Sequence, residues 1–266
     1  MERVAEVLRK VGTETDQNTR KQNMYTSSVK RSSDAAEKLK GTVIGIGATL
    51  VSAYAVNKVL ETSSLMTNTK ARLDLINDGQ QTTAELNDMI FQSANRAYGS
   101  YTETADSVAK LAGQTDGLFN STREIVAFTE LLNKQFIISG VSAQGASSVM
   151  LQMTQALSSG VLRGEEFNAI FENAPQIIGY IAKSMGKPID SMKELAAAGE
   201  ITAQEIKNAM FLAAEDINKK FEQMPLTWED MKTKLQNNLL QAFQPLWEEM
   251  ESIMNSSTMT DFITIA

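Results

Sequence analysis

At 266 residues and 42% apolar composition, the chain can bury a core as one sizeable domain or two small ones. It has no cysteine and no histidine, which removes disulfides, Fe–S clusters, haem axial ligation, Cys or His zinc sites, and the commonest nucleophile and neutral-pH proton carrier. With 25 Lys and Arg against 32 Asp and Glu, the net charge of −7 disfavours nonspecific attraction to a nucleic-acid backbone. Catalysis would have to rest on carboxylates, lysines or hydroxyls, and no calcium-loop pattern suggests a hard-cation site.

Residues 1–40 are polar, with Val4, Leu8 and Val11 marking a short helical stripe. Charge begins at Glu2 and no apolar signal core follows, so the chain is expected to start in a cytoplasm. Residues 41–76 form one long helical candidate that stops at Asn77-Asp78-Gly79, a strong turn signal. Its first part, "GTVIGIGATLVSAYAVN", is uncharged for 17 residues, at the lower edge of a bilayer span. Gly41, Ile44, Gly45, Gly47, Leu50 and Val51 are the candidate membrane or self-association residues. Three readings of them stand: a marginal transmembrane helix, a helix packed closely through its small residues, or a segment sheltered in an assembly and exposed to a membrane later. Gly45-Ile46-Gly47 does not open a dinucleotide fingerprint, because Leu50 stands where the third glycine is required.

From residue 77 to 254 the punctuation is regular. Thr82 with Glu85, Ser121 with Glu124, Ser191 with Glu194 and Thr202 with Glu205 have capping-box spacing, which predicts four helix starts. Gly99, Gly113, Gly140, Gly160, Gly186 and Gly199 each follow an apolar periodic run and predict helix stops. Between these marks the apolar residues keep helical spacing. The stripes are Leu86, Met89, Ile90 and Ala94; Ile125, Phe128, Leu132 and Phe136; and Val149, Met150, Met153 and Leu157. A further run, Ile206, Met210, Ala213, Ile217, Phe221 and Met224, stops at Pro225. A last long helix opens at Thr227 and is expected to bury Met231, Leu235, Leu239, Phe243, Leu246 and Met250, with a kink at Pro245. Strand signals are nearly absent. The expected fold is all-α, a compact multi-helix bundle flanked by longer N- and C-terminal helices, with residues 255–266 as a tail or truncation end.

The chemical leads dissolve into this pattern. In "GVLRGEEFNAIFENAP", Glu165 and Glu166 sit in the first turn of a short helix, where the helix dipole favours them. Phe167, Ile170 and Phe171 make its buried face, and Pro175 starts the next helix with Ile177, Ile178, Ile181 and Met185. Catalysis by Glu165, Glu166 or Glu172 would need separated, differently buried carboxylates. Ser184 to Lys187 and Ser107 to Lys110 match S-x-x-K without the companion motifs of penicillin-binding enzymes, and Gly179 to Lys187 lacks P-loop spacing. No catalytic, cofactor-binding or metal-ligating residue is assigned.

"LQMTQALSSGVLRGEEFNAIFENAPQII", "FTELLNKQF" and "AAAGEITAQEIKNAMFLAAEDINKKFEQMPLTWEDMKTKL" strongly resemble the tape measure domain of tail tape measure proteins of long-tailed bacteriophages and prophages. The resemblance runs from about Thr67 to Trp247. Its most specific pieces are Leu162 to Phe167, the Glu172-Asn173-Ala174-Pro175 junction and Thr202 to Met210. It implies a structural protein that occupies the tail tube lumen, sets tail length during assembly and leaves when DNA is ejected. The partners it implies are further copies of the chain as a trimer or hexamer, tail tube proteins and tail assembly chaperones, with membrane contact at ejection and no sequence-specific nucleic-acid recognition. The implied locations are the bacterial host cytoplasm during assembly and the tail lumen afterwards.

One continuous helix of this length would reach about 400 Å at 1.5 Å per residue, and the Gly and Pro breaks shorten that greatly. The chain is therefore expected to be the N-terminal part of a longer protein, or to serve a short-tailed phage-like particle; the abrupt end at "TMTDFITIA" favours truncation. Two rival readings are a membrane-active or injected helical effector, marked by liposome leakage, and a carboxylate-based cell-wall hydrolase, marked by wall clearing that is lost in Glu166→Gln.

Overall fold

Helix punctuation dictates the architecture, because each short helix must end within a few turns and turn back on its neighbours. The computed structural model describes residues 53–242 and residue 244. Its elements, in order, are α1 (Ala53–Ile76), α2 (Thr83–Arg96), α3 (Tyr101–Gln114), α4 (Thr122–Ile138), α5 (Ala143–Ser159), β1 (Val161–Leu162), α6 (Gly164–Asn173) and α7 (Pro175–Met185). A single 3-10 turn, Ile189–Ser191, leads into α8 (Met192–Ala198), β2 (Ile201–Thr202), α9 (Ala203–Leu212), α10 (Ala214–Glu222) and α11 (Trp228–Ala242). The fold is all-α. Among the described residues its one sheet is the antiparallel pair β1–β2, with Val161 opposite Thr202 and Leu162 opposite Ile201.

The chain divides into two units, Thr69–Leu239 and the remainder, and the packing below is that of the first. Helix α4 lies at its centre, packed against α2, α3, α9 and α10, while α9 also packs on α5 and α7. Ile125, Phe128, Leu132 and Phe136 are all buried, as their spacing requires, along with Val126 and Leu131 on the adjoining face. The other stripes fill the same core: Leu86, Ile90 and Ala94 from α2; Val149, Met153 and Leu157 from α5; Ile206, Met210, Ile217 and Phe221 from α9 and α10. Phe91 stacks on Tyr101 at 3.6 Å between ring centres, joining α2 to α3. Burial pushes the Tyr101 phenol well above its usual range.

Two of the expected capping boxes form completely. Thr82 Oγ1 accepts from the Glu85 N–H at 3.2 Å while Glu85 accepts from the Thr82 N–H at 2.8 Å. Thr202 and Glu205 do the same at 3.2 and 2.7 Å. Ser121 caps α4, but Glu124 reaches back one residue further, to the N–H and the amide of Asn120. Ser191 caps nothing: it closes the 3-10 turn, and its hydroxyl donates to the Pro188 carbonyl at 2.7 Å. Ser100, Ser142 and Thr227 cap α3, α5 and α11, the last in a reciprocal pair with Asp230.

The stops differ from expectation at two glycines. Gly140, Gly160, Gly186 and Gly199 take the left-handed conformation that ends a helix. Gly113 lies inside α3, which runs to Gln114 and is closed by Thr115, whose hydroxyl and N–H both donate to the Leu111 carbonyl. After α2 the left-handed residue is Tyr98, at φ 52°, and Gly99 follows with its N–H on the Ala94 carbonyl. The run from Ile206 to Met224 is interrupted at Ala213 into α9 and α10, so each half can turn its apolar side inward. Phe171 is exposed rather than buried; it stacks at the edge of the core on Phe167, with ring centres 5.6 Å apart.

Two polar ties pin loops to this core, the first buried and the second at an exposed turn. The Lys207 ammonium on α9 lies 3.2 Å from Glu124 and donates to the Leu118 carbonyl at 2.8 Å, with Phe119 5.6 Å away beneath it. Asp78, in the turn after α1, accepts from the N–H and hydroxyl of Thr122, at 2.8 and 3.0 Å, and so caps α4 from 44 residues away. Burial raises the Asp78 carboxyl pKa, but the hydrogen bonds from Thr122 and Gln80 outweigh it and the net shift is down. Lys207→Met is expected to lower stability by about 3 kcal/mol in urea unfolding, because a buried carboxylate loses its cation. Adding Glu124→Gln should return part of that loss.

Candidate functional site

The sequence leads can now be placed. Gly41, Ile44, Gly45, Gly47, Leu50 and Val51 lie outside the described residues, as do Phe243, Pro245, Leu246 and Met250, which were expected to continue the last helix. No helix among the described residues is long and apolar enough to cross a membrane. Glu165 is exposed and Glu166 half-buried, both in the first turn of α6, where they border an open polar cleft of about 560 Å³ with Gln114, Gln152 and Gln155. Glu172 is exposed near the other end of the same helix. Ser107 donates to the Glu103 carbonyl and Lys110 pairs with Asp106 at 2.8 Å, so both are engaged within their own helix. Ser184 and Lys187 are exposed on either side of the Gly186 helix stop. None of these groups is brought into an acid–base pair or a nucleophile–base pair.

The unusual arrangement lies on α11. Asp230 and Asn237 are its buried residues, whereas Trp228 is 84% exposed, Leu235 60%, Met231 51% and Leu239 48%. Met231, Leu235 and Leu239, expected in the core, face outward instead, in one stripe with Trp228. At 3.6 residues per turn its four side chains fall within an arc of about 80°, and Asn237 projects from the opposite side.

A polar knot holds α11 this way. The Asn237 amide donates to the Gly99 carbonyl at 2.8 Å and to Asn95 Oδ1 at 3.0 Å, and its oxygen accepts from the Tyr101 N–H at 2.9 Å. Asn95 in turn donates to Asn238 at 3.1 Å. One side chain thereby satisfies the carbonyl at the end of one helix turn and an N–H at the start of the next, groups that helix termini leave without internal partners. The Lys234 ammonium lies 4.3 Å over the Tyr98 ring, a cation–π contact. Burial lowers the Lys234 pKa, opposed by Asp230, and burial followed by the Asp230 charge raises that of Tyr98.

Tyr98 needs this support, because a bulky residue at positive φ is strained. Beneath it the ring meets Phe221 at 4.8 Å, and Lys134 lies 5.6 Å over the Phe221 ring. Lys134 and Arg96 both pair with Glu130, at 2.8 and 2.6 Å, and Arg96 does so through two nitrogens. Burial raises the Glu130 pKa, yet the two cations hold it below its ordinary value. Sequence reasoning found the stripe but not Tyr98, Asn95 or Asn237. The available signal was the Asn237-Asn238 pair, set across the helix from the apolar residues.

The described residues form a helical body with capped ends and, on α11, an apolar face turned outward. The family model described as tape measure protein matches residues 57–248, most of the chain, and the chain belongs to that family. It is a structural component of a phage tail, where it meets other tail proteins. Nothing matches among curated proteins or among solved structures.

Two outcomes follow from the site. Asn237→Ala should speed hydrogen exchange of the α11 amides while leaving those of α4 protected. The stability owed to Glu130 is fully present above its ordinary value of 4.5 and is lost as pH falls below that toward its lowered folded value. Urea midpoints should therefore drop through this acid range in the unaltered chain and less steeply in Glu130→Gln.

Proposed function

We propose that this chain acts in the tail tube lumen during tail assembly, contributing to length determination and, at ejection, leaving ahead of or with the DNA. The observation that carries this reading is the family match across residues 57–248. The all-helical body and the outward stripe of α11 are in keeping with a protein whose work is packing against other chains.

On this reading residues 1–40 form a polar lead, 41–76 a small-residue helix, 77–254 the tape-measure body and 255–266 a tail. The partners are further copies of the chain, as a trimer or hexamer, tail tube subunits, and chaperones that hold the protein in the host cytoplasm before assembly. Gly41, Ile44, Gly45, Gly47, Leu50 and Val51 then serve self-association inside the particle and membrane contact on release. The role is one of assembly and not of catalysis.

The test is tail length. Tails assembled with versions of the protein lengthened or shortened in extended helical tracts should change in proportion, by about 1.5 Å per residue. Tails of unchanged length in electron micrographs would remove the ruler role.

A further inference from the structure

We propose that α11 is a releasable strap: it leaves its seat on the α2–α3 junction as one unit, pivoting at residues 223–227, while the α4 core stays closed. The inference concerns motion within a single chain and goes beyond the assembly role.

Three observations carry it. The first is how α11 is held. Each helix from α2 to α10 buries apolar side chains, whereas the two buried residues of α11, Asp230 and Asn237, are both polar. Asp230 accepts from the N–H and hydroxyl of Thr227, the cap of its own helix, and so travels with α11. The ties to the body described above come from a single turn. They are Lys234 over the Tyr98 ring, Asn237 on Gly99, Asn95 and Tyr101, and Asn238 on Asn95. Apolar burial resists opening in proportion to area, but water competes directly for hydrogen-bonding groups. Asn95, Tyr98 and Gly99 are half-buried, so water can take over these bonds as the strap lifts.

The second is the linker. Helix α10 closes its own end, with the Gln223 and Met224 N–H groups on the Lys220 and Phe221 carbonyls at 3.2 and 3.1 Å. Helix α11 opens itself through the reciprocal cap of Thr227 and Asp230. Between them Pro225 has no N–H to donate, and Leu226 is 55% exposed. Neither helix end has to be remade when the angle between the two helices changes.

The third is the seat. The Tyr98–Gly99 turn is fixed from the body side: the Gly99 N–H donates to the Ala94 carbonyl at 2.9 Å, and the Tyr98 ring rests on Phe221. Departure of α11 removes Lys234 and the Asn237 amide but leaves both of these contacts. The seat therefore persists when empty, with the Gly99 carbonyl and the Tyr101 N–H at the spacing of one side-chain amide, and α11 returns to it in the same register.

The experiment is hydrogen exchange of the full chain, read by mass spectrometry in water and in low urea. We expect the amides of residues 228–239 to exchange as one block, at least about a hundredfold faster than those of α4 and with little dependence on urea, as a local opening does. A detached helix of this length is marginal by itself, so its amides report departure from the seat. Asn237→Ala and Lys234→Met should each speed that block further, the first at least about tenfold, with the α4 rates unchanged. Leu235→Gln, on the outward side, should leave the block where it was.

Amides of α11 that exchange at the α4 rate and with the α4 urea dependence overturn the strap, because the helix then opens only with the body. Equal acceleration by Leu235→Gln and Asn237→Ala overturns it as well, since an apolar cover and not the polar seat then holds the helix. Loss of α4 protection in Asn237→Ala makes the seat part of the core, and this also overturns the proposal.

Discussion

Helix α4 has to be buried on nearly every side, and most of the body can be understood as what makes that tolerable. Ten of its residues are buried, and they include Glu124, Thr129 and Gln135 as well as its aliphatic and aromatic side chains. A buried polar group without a partner costs more than its hydrogen bond would return. Lys207 comes from α9 to meet Glu124; the Thr129 hydroxyl turns back to the Ile125 carbonyl; the Gln135 amide nitrogen donates to Ser139, although its oxygen is left without a partner. Asp78 crosses from the turn after α1 to cap the first turn of α4. Pieces of chain distant in sequence are thus fixed to one another through this helix.

That dependence explains which features could be read from sequence. Thr82 with Glu85 and Thr202 with Glu205 are local devices: the partners are three residues apart and need nothing else. Gly160 and Gly186 end helices for an equally local reason, the absence of a Cβ at positive φ. Where a tertiary contact sets the outcome, local reading fails. Tyr98 takes the left-handed position beside a glycine that could have taken it, because its ring is held between Phe221 and Lys234. Glu124 leaves the reciprocal half of its capping box and accepts from Asn120 and Lys207 instead. Ser191 has the spacing of a cap, but Pro188 sets a 3-10 turn first.

On α11 the limit is of another kind. Periodicity shows that a helix has two faces and does not say which one meets the body. Met231, Leu235 and Leu239 were legible as one stripe, Trp228 was not counted with them, and the direction of the stripe was not legible. The deciding residue, Asn237, has the composition of any solvated position. It becomes a docking residue only because the Tyr98–Gly99 turn presents a carbonyl and an N–H at the spacing of one side-chain amide.

The energetics of that inversion bear on what the helix can do. Apolar burial binds elements in proportion to area, at roughly 25 cal/mol per Å², and the core helices draw on it throughout. The knot on α11 relies on hydrogen bonds that each return only about 1 kcal/mol, since water competes for the same groups. A helix held by such bonds is attached with defined register and modest strength, while its apolar area remains uncommitted. In a tail protein that meets several other chains, this leaves one face free to gain burial from outside without any part of the α4 core having to open.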